Sequence, residues 1–223
     1  MRIAFVATMA DMPWGGSEVL WSKTAALALN EGHEVFFSAY QWPQTPLPIQ
    51  DIIRRGATFY LRPHYQPALS ARLKKRMRRL LLSNSPEVAA IRKFNPDLIV
   101  VNQGGAYDVF YRDDLRELLF SGRYPYYLIC HSYRDPIQLD EYTRAVLIRL
   151  LQRAQRVFTI SNQQADVVQR QLATPLPNII VVQNPLNVPA EWPVPFPSLE
   201  LPSLQFASVA SLHVHSKGQD ILF

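Results

Sequence analysis

The sequence has 223 residues, of which 48% are hydrophobic and 18% charged, with 18 prolines and 8 glycines. This composition is that of a folded globular protein, and it excludes disordered, collagen-like and coiled-coil proteins. Lysine and arginine number 23 against 18 aspartates and glutamates, a formal net charge of +5. The length allows one large domain, or one domain and part of a second.

Apolar runs of strand length recur along the chain, and they are continuous rather than alternating, as in parallel strands covered on both faces. The predicted strands are Ile3–Thr8, Glu34–Ala39, Thr58–Leu61, Leu98–Asn102, Tyr126–Cys130, Val157–Ile160, Ile179–Val182 and Gln205–Ala210. The predicted helices between them are Ser17–Asn30, Leu69–Leu82, Glu87–Lys93, Asp114–Phe120, Leu139–Gln152 and Gln163–Leu172. This alternation predicts an α/β fold with a doubly wound parallel sheet of Rossmann-like type.

Prolines concentrate in two stretches of the chain. Five lie within residues 41–67, which predicts irregular loops around a short strand. Eight lie within residues 175–202, a density that predicts a semi-rigid linker between domains. We therefore expect a first domain over residues 1–185, a proline-rich linker over 186–202 and, over 203–223, the severed start of a second α/β domain, because one strand and half a helix cannot bury their own faces.

The excess of positive charge comes from one predicted helix, residues 69–82. Its six cations, with no acid among them, are Arg72, Lys74, Lys75, Arg76, Arg78 and Arg79. Without them 17 basic residues face 18 acidic ones, so the charge does not indicate a nucleic-acid-binding surface. A solvated helix face explains most such runs. Binding to an anionic membrane surface or to an anionic acceptor explains this one equally well.

The single cysteine and the N-terminus bear on location. Cys130 lies in an apolar run, which predicts a buried, inert thiol and excludes a disulfide within the chain. The N-terminus enters a strand at once, without the features of a signal peptide. No apolar run approaches the roughly 20 residues that span a bilayer. A cytoplasmic protein is therefore expected.

The loop after the first strand contains Gly15-Gly16-Ser17-Glu18 and leads into a helix. Glycines there allow close approach of a ligand, and a helix N-terminus offers free N–H groups and partial positive charge to a phosphate. The alternative is a tight turn in which Ser17 or Glu18 helps to cap the helix. Spacing alone does not decide between these two readings.

His131 directly follows a predicted central strand, at the sheet edge where α/β proteins bind ligands. A structural histidine is the alternative. A nicotinamide site is disfavoured, because Gly-x-Gly-x-x-Gly is absent and the second strand ends without an acid for a ribose. The nucleotide-hydrolase P-loop is absent as well, and no histidine spacing indicates a metal site.

Several segments occur in an order that is typical of one enzyme family. They are Gly15-Gly16-Ser17-Glu18, Gly32-His33-Glu34-Val35, His131 after a central strand, Phe158-Thr159-Ile160-Ser161 before a helix, Val181-Val182-Gln183-Asn184-Pro185 with Asn187, and Lys217-Gly218-Gln219-Asp220-Ile221-Leu222. Together they resemble the retaining glycosyltransferases of the two-domain GT-B fold, family 4 type. The resemblance covers essentially the whole chain.

The resemblance implies a hexosyltransferase that moves a sugar from a nucleotide sugar to a saccharide or lipid-linked acceptor, with retention of configuration and without a metal or other cofactor. It implies that the N-terminal domain binds mainly the acceptor and that the C-terminal domain holds the donor. His131 would then be the catalytic residue that hydrogen-bonds the transferred sugar. Donor or acceptor would be bound by Gly15, Gly16, Ser17, Glu18, Asn184 and Lys217, the last neutralising charge on the diphosphate leaving group.

Two departures from the family pattern limit what the chain is expected to do alone. Ser211 stands where the family commonly has an arginine, and the family's paired donor-binding glutamates would lie beyond Phe223. We therefore expect the N-terminal part of a glycosyltransferase, inactive by itself.

The alternative function is a non-enzymatic α/β module that binds an anionic partner or membrane surface through residues 69–82. Four aromatic residues are candidates for stacking on a sugar, with core or loop packing as the alternative role: Trp14, Trp42, Tyr107 and Tyr133.

Overall fold

The computed structural model describes residues 1–10, 12–63, 85–132 and 138–186. The chain divides into two units, Met1–Pro185 and Leu186–Phe223. The predicted helix Leu69–Leu82 and everything predicted from residue 187 onward lie outside the described residues, so those parts stay predictions.

Seven parallel strands form one sheet in the first unit. They are β1 (Arg2–Ala7), β2 (Glu34–Tyr40), β3 (Thr58–Arg62), β4 (Leu98–Gln103), β5 (Tyr126–Cys130), β6 (Arg156–Thr159) and β7 (Ile179–Val181). Their order in the sheet is β3-β2-β1-β4-β5-β6-β7, and every neighbouring pair is parallel. The predicted doubly wound sheet is confirmed.

Six α-helices and one short 3-10 helix lie between these strands in the described part of the chain. The α-helices are α1 (Gly16–Asn30), α2 (Leu47–Arg54), α3 (Pro86–Phe94), α4 (Asp113–Phe120), α5 (Glu141–Arg153) and α6 (Asn162–Leu172), and the 3-10 helix is Asp108–Tyr111. None of the described helices is both long and apolar enough to cross a membrane.

Alternate residues of each strand enter two separate cores, one on each face of the sheet. In β1, Phe5 and Ala7 pack with Trp21 of α1 and Ile52 of α2. Residues from α3, α4, α5 and α6 form the other core, which Ala4 and Val6 of β1 enter. Both faces of the central strands are therefore buried, which explains why these strands read as continuous apolar runs.

Three helix starts have a physical cause that is visible in the sequence. The side chains of Ser85, Asp140 and Ser161 each accept a hydrogen bond from a backbone N–H in the first turn of α3, α5 and α6. Such capping satisfies donors that would otherwise lack partners. Each strand and helix predicted within the described residues is observed with ends that agree to within two residues.

The prediction of irregular loops over residues 41–67 was wrong at α2 (Leu47–Arg54). Pro46 is the N-cap of this helix, and Pro48 lies in its first turn. Proline is tolerated there, because the first N–H groups of a helix have no partner within the helix. Ile49 and Ile52 then bury one face of the helix. The prolines thus mark where the helix begins rather than excluding one.

Candidate active site

The strand order reverses between β1 and β4, because the chain leaves β1 toward β2 on one side and returns to β4 on the other. Ligands of α/β proteins bind at such a switch point, outside the carboxyl ends of the strands. Thr8 N donates a hydrogen bond to the Asn102 carbonyl oxygen (2.9 Å), and His131 Nε2 lies 2.9 Å from Asn102 Oδ1. The ends of β1, β4 and β5 therefore meet, and His131 lies among them.

The glycine loop precedes α1, with Gly15 as the N-cap. Gly15 makes no side-chain cap hydrogen bond, Glu18 places an acidic side chain in the first turn, and Glu18 N donates to the Gly15 carbonyl oxygen (3.0 Å), so both alternatives for this loop remain open. Gly15 has an extended backbone that any residue adopts, and a Cβ at Gly16 would meet open space. The start of α1 is thus open at Gly16, and its N–H groups and dipole favour an anion.

Glu18 is a buried carboxylate in the first turn of α1. The Trp21 indole N–H donates to Glu18 Oε2, while Oε1 is buried and has no hydrogen-bond partner. Burial raises the pKa of Glu18 to about 6, opposed by the Trp21 hydrogen bond and by the positive charge of Arg62. A carboxylate kept in this unfavourable environment is typical of a functional site.

Replacing Glu18 with Gln is expected to stabilise the fold at pH 7.5 by about 2 kcal/mol, from about 1.4 kcal/mol per pKa unit. The sign follows from the raised pKa. Below the unfolded-state pKa, Glu18 is protonated in both the folded and the unfolded state and does not change the free energy of unfolding. As the pH rises from there through about 6, the burial of the carboxylate lowers the free energy of unfolding. Urea unfolding at pH 7.5 and pH 4 measures this, and most of the gain is expected to vanish at pH 4. The exposed Glu31→Gln is the control, and an equal gain at both pH values would contradict the prediction.

The imidazole of His131 is buried at the switch point. With the proton on Nε2, the ring donates to Asn102 Oδ1, and Nδ1 is left buried without a partner. Burial lowers the pKa of His131 to about 4, so the ring is neutral at physiological pH. Its backbone carbonyl accepts a hydrogen bond from Gln164 Nε2 (3.0 Å). The ring is neutral, it is held through Nε2 and its backbone is held by Gln164, so the free acceptor Nδ1 is suited to a ligand hydroxyl.

Asn102 is a functional candidate that the sequence analysis missed. Its side chain is fully buried, and Nδ2 has no hydrogen-bond partner. Buried polar groups are rarely left unpaired, so this amide and His131 Nδ1 form a small set of orphan groups at one place. The signal in the sequence was a polar residue at the end of the apolar run Leu98–Asn102, 29 residues before its partner His131, which follows the next strand.

A buried ion network supports the same edge of the sheet from the β3 side. Arg62 donates to Glu87 Oε1 (2.6 Å), to Ser38 Oγ (2.9 Å) and to the Ala7 carbonyl oxygen. Arg112 donates to the other oxygen of Glu87. The network therefore fixes the ends of three strands to α3 and to the segment before α4.

Of the remaining predicted site residues, the described part of the chain includes Asn184, which lies away from the switch point. Asn184 follows β7, which is separated from β4 by two strands, and its Oδ1 is buried without a partner. Lys217 and the six cations of residues 72–79 lie outside the described residues, as does Tyr133. Tyr107 is buried and donates to Gln171 Oε1 (2.6 Å), which agrees with a packing role.

Two further expectations concern cysteine and metal. Cys130 is fully buried, as predicted, and accepts a hydrogen bond from Gln103 Nε2 (3.2 Å). Within the described ranges, no three histidine, cysteine, aspartate or glutamate side chains are grouped so that they could hold a metal ion.

A pocket opens beside the glycine loop, between the β1–α1 connection and the β2–α2 connection. Its cavity volume is about 20 Å³, room for about one water molecule. Its floor is formed by Ala7, Ala39 and Leu61 at the ends of β1, β2 and β3. Trp14 and Trp42, two of the four predicted stacking candidates, both line it, as does Glu18.

The family of the chain follows from its sequence. Residues 14–189 match the model of Glycosyltransferase Family 4, and this match covers most of the chain. The chain therefore belongs to glycosyltransferase family 4. No curated protein matches the sequence.

Solved structures agree on the fold. A glycosyltransferase from Rickettsia africae ESF-5 is similar with a TM-score of 0.53 and 10% identity, over 82% of this chain and 42% of that one. Anabaena Alr3699/HepE, solved in complex with UDP, is similar with a TM-score of 0.52 and 17% identity, over 83% of this chain and 44% of that one. The chain thus has the fold of a GT-B N-terminal domain, and it spans less than half the length of either structure.

Proposed function

We propose that this chain is the N-terminal, acceptor-side part of a glycosyltransferase that moves a sugar from a nucleotide sugar to a saccharide or lipid-linked acceptor. In this proposal the transfer proceeds with retention and without a metal. The donor is held chiefly by a C-terminal domain, and the chain is inactive without one. Support comes from the family match and from the chain's span of less than half of the structures it resembles.

The observation that supports the proposal is that the loop to the open α1 N-terminus leaves β1 at the same carboxyl edge of the sheet as the orphan groups of Asn102 and His131. A diphosphate at Gly16 would use the helix N–H groups. A sugar between it and His131 would donate a hydroxyl to Nδ1. Preorganised polar groups in a water-poor site stabilise the charge that develops as the sugar leaves the diphosphate.

The test is a transfer assay with the purified chain alone and mixed with a separately produced C-terminal domain of a family member. Since Anabaena HepE was solved with UDP and with UDP-glucose, UDP sugars are the first donors to assay, followed by GDP and ADP sugars. Product formed only in the mixture, with the anomeric configuration of the donor retained, supports the proposal. Product formed by the chain alone, or no product from the mixture with any donor, contradicts it.

We also propose that the protein is cytoplasmic and that its basic segment, residues 72–79, docks on an anionic membrane surface. The proposal rests on the six lysine and arginine residues of this segment, which contains no aspartate or glutamate. Each cation near an anionic bilayer contributes on the order of 1 kcal/mol. A membrane-bound acceptor would then be presented to the N-terminal domain.

Co-sedimentation with vesicles that contain phosphatidylserine tests this docking. We expect binding at low salt that falls steeply as salt rises, because screening weakens charge attraction. It should be lost when Lys74, Lys75, Arg76, Arg78 and Arg79 are replaced by Gln. A matched control replaces the exposed Arg54 and Arg55 of the first unit by Gln. Absence of vesicle binding by the wild-type chain, or an equal loss of binding in the control variant, would contradict the proposed docking.

A further inference from the structure

A short turn after β4, residues 104–109, lies between the two parts of the proposed transfer site. We call it the β4 turn. In the sheet β4 is the neighbour of β1, from which the glycine loop departs, and of β5, which ends next to His131. The β4 turn is therefore placed to set where the glycine loop lies relative to His131.

Asp108 joins the β4 turn to the end of β1. Its Oδ2 accepts hydrogen bonds from the hydroxyl of Thr8 (2.7 Å) and from the backbone N–H of Gly105 (3.1 Å). The Thr8 hydroxyl also lies 3.2 Å from the Asn102 carbonyl oxygen. Its single hydrogen favours the nearer acceptor, because a carboxylate forms stronger hydrogen bonds than a neutral oxygen. Asp108 thus holds Thr8, the buried residue at which β1 ends and the glycine loop begins.

Two glycines of the β4 turn allow this close contact. A Cβ on Gly105 would lie 2.8 Å from Asp108 Oδ1, closer than a Cβ comes to a non-bonded atom in folded proteins. A Cβ on Gly104 would lie 2.9 Å from the methyl carbon of Met9. Glycine therefore lets the carboxylate and the methionine approach the backbone. Because Met9 follows Thr8, two consecutive residues at the start of the glycine loop contact the β4 turn.

Gln103 joins the same turn to β5. Its side chain is buried, Oε1 accepts a hydrogen bond from the backbone N–H of Val109 (3.0 Å), and Nε2 donates to Cys130 Sγ (3.2 Å). Its carbonyl oxygen accepts from the backbone N–H of His131 (3.3 Å). The β4 turn is thereby fixed to the residue whose Nδ1 is a buried acceptor without a partner.

The glycine loop and His131 thus contact opposite sides of one turn, and Asp108 provides the polar side-chain contact on the loop side. Loss of this contact would let the start of α1 move relative to His131, while every group that is proposed to touch the donor stays in the protein. Transfer is sensitive to such a shift, since a misplacement of about 1 Å costs about 100-fold in rate.

We infer that Asp108 is a positioning residue for sugar transfer, which sets the place of the glycine loop relative to His131 through its hydrogen bond with Thr8. The inference rests on the proposed function, because the loop and His131 are the two parts of the proposed transfer site. Asp108 acts by accepting hydrogen bonds, and neither its charge nor a contact with the sugar is required.

NMR of the 223-residue chain tests the link between Asp108 and the glycine loop without turnover. In the wild type we expect an NOE between the Met9 methyl group and Gly104, because these groups are in contact. Asp108→Ala and Thr8→Val each remove the hydrogen bond and should abolish this NOE. The order parameters of the Gly15 and Gly16 amides should fall from about 0.85 toward 0.6 or below.

Kinetics of the two-domain mixture test the consequence for transfer. Asp108→Ala and Thr8→Val are expected to lower kcat at least about tenfold, with less than about threefold change in either KM, because binding groups are kept and their placement is lost. Combining the two should cost no more than either alone, since both remove one bond. Gly105→Ala, which displaces the carboxylate, should resemble Asp108→Ala. Asp108→Asn and Thr8→Ser keep an acceptor oxygen and a hydroxyl and should retain at least about half of kcat.

Asn178→Ala is the matched control for lost stability. Like Asp108, Asn178 makes two hydrogen bonds, here to the carbonyl oxygens of Leu151 (2.8 Å) and Ala154 (2.7 Å), and it precedes β7 at the opposite edge of the sheet. We expect a fall in the urea midpoint similar to that of Asp108→Ala, with kcat unchanged. An equal loss of kcat in this control would overturn the inference, because lost stability alone would then explain the effect.

The inference is also overturned if Asp108→Ala leaves the NOE and the order parameters unchanged, or if its kcat equals that of the wild type. A loss in Asp108→Asn as large as in Asp108→Ala would overturn it as well, because the charge would then be required. Failure of the proposed function is distinguishable. In that case the wild-type mixture itself forms no product, whereas failure of the inference alone leaves the wild-type and Asp108→Ala mixtures equally active.

Discussion

Replacing Glu87 with Gln is expected to lower the free energy of unfolding by about 3–5 kcal/mol, the usual cost of removing one partner from a buried ion pair. Glu87 is nearly fully buried, and its two oxygens accept hydrogen bonds from Arg62 and Arg112. The variant leaves two buried guanidinium groups facing a neutral amide. Arg112 keeps Asp114 as a partner, whereas no salt bridge to another acid is described for Arg62.

Urea unfolding at pH 7 measures this loss. The matched control is Asp51→Asn, which removes the exposed ion pairs with Arg54 and Arg55 on α2 and should cost less than about 1 kcal/mol. Similar losses in the two variants would contradict a special role for the buried network.

Replacing His131 with Ala is expected to reduce sugar transfer by the two-domain mixture about 100-fold, at the low end of the loss seen when one preorganised polar group is removed from a transition state. The variant removes the buried acceptor Nδ1 and leaves Asn102 Oδ1 without its partner. Transfer rates at saturating donor and acceptor measure the effect. His33→Ala is the matched control, because His33 follows α1 and the one described hydrogen bond of its side chain is with the N-terminal amine. Equal rates in wild type and His131→Ala would contradict the assignment.

The pH dependence of that reaction separates a buried neutral histidine from a solvated one. Since burial lowers the pKa of His131 to about 4, its ring stays neutral from pH 5.5 to 8. Its contribution to stability is complete above the unfolded-state pKa near 6.5 and is lost as the pH falls through about 4. A change in transfer rate near pH 6 that comes from Glu18 is expected to disappear in Glu18→Gln, because burial raises the pKa of Glu18 to about 6.

The sheet could be predicted from the sequence because strands buried on both faces are continuous runs of apolar residues, such as Ile3–Thr8. His131 was found for the same reason, since the end of an apolar strand fixes its place at the sheet edge. Helix α2 was missed because its prolines were counted without regard to their position in the first turn. Proline disfavours the interior of a helix, but Pro46 and Pro48 stand at the start of α2, where proline is tolerated.

Most contacts in the site join residues that are far apart in the sequence, so no short sequence pattern predicts them. Arg62 and Glu87 are 25 residues apart, and Asn102 and His131 are 29 apart, so their pairing depends on the strand order. Trp14 and Trp42 come together only because β1 and β2 are neighbours and because α2 begins at Leu47. Residue types at these positions were visible in the sequence, but their shared pocket was not.

A crystal structure of the two-domain mixture with a bound nucleotide sugar would show directly where sugar transfer takes place. We expect the donor's diphosphate at Gly16 and its sugar within hydrogen-bonding distance of His131 Nδ1. A donor bound elsewhere, with the carboxyl ends of β1, β4 and β5 left free of ligand, would contradict it.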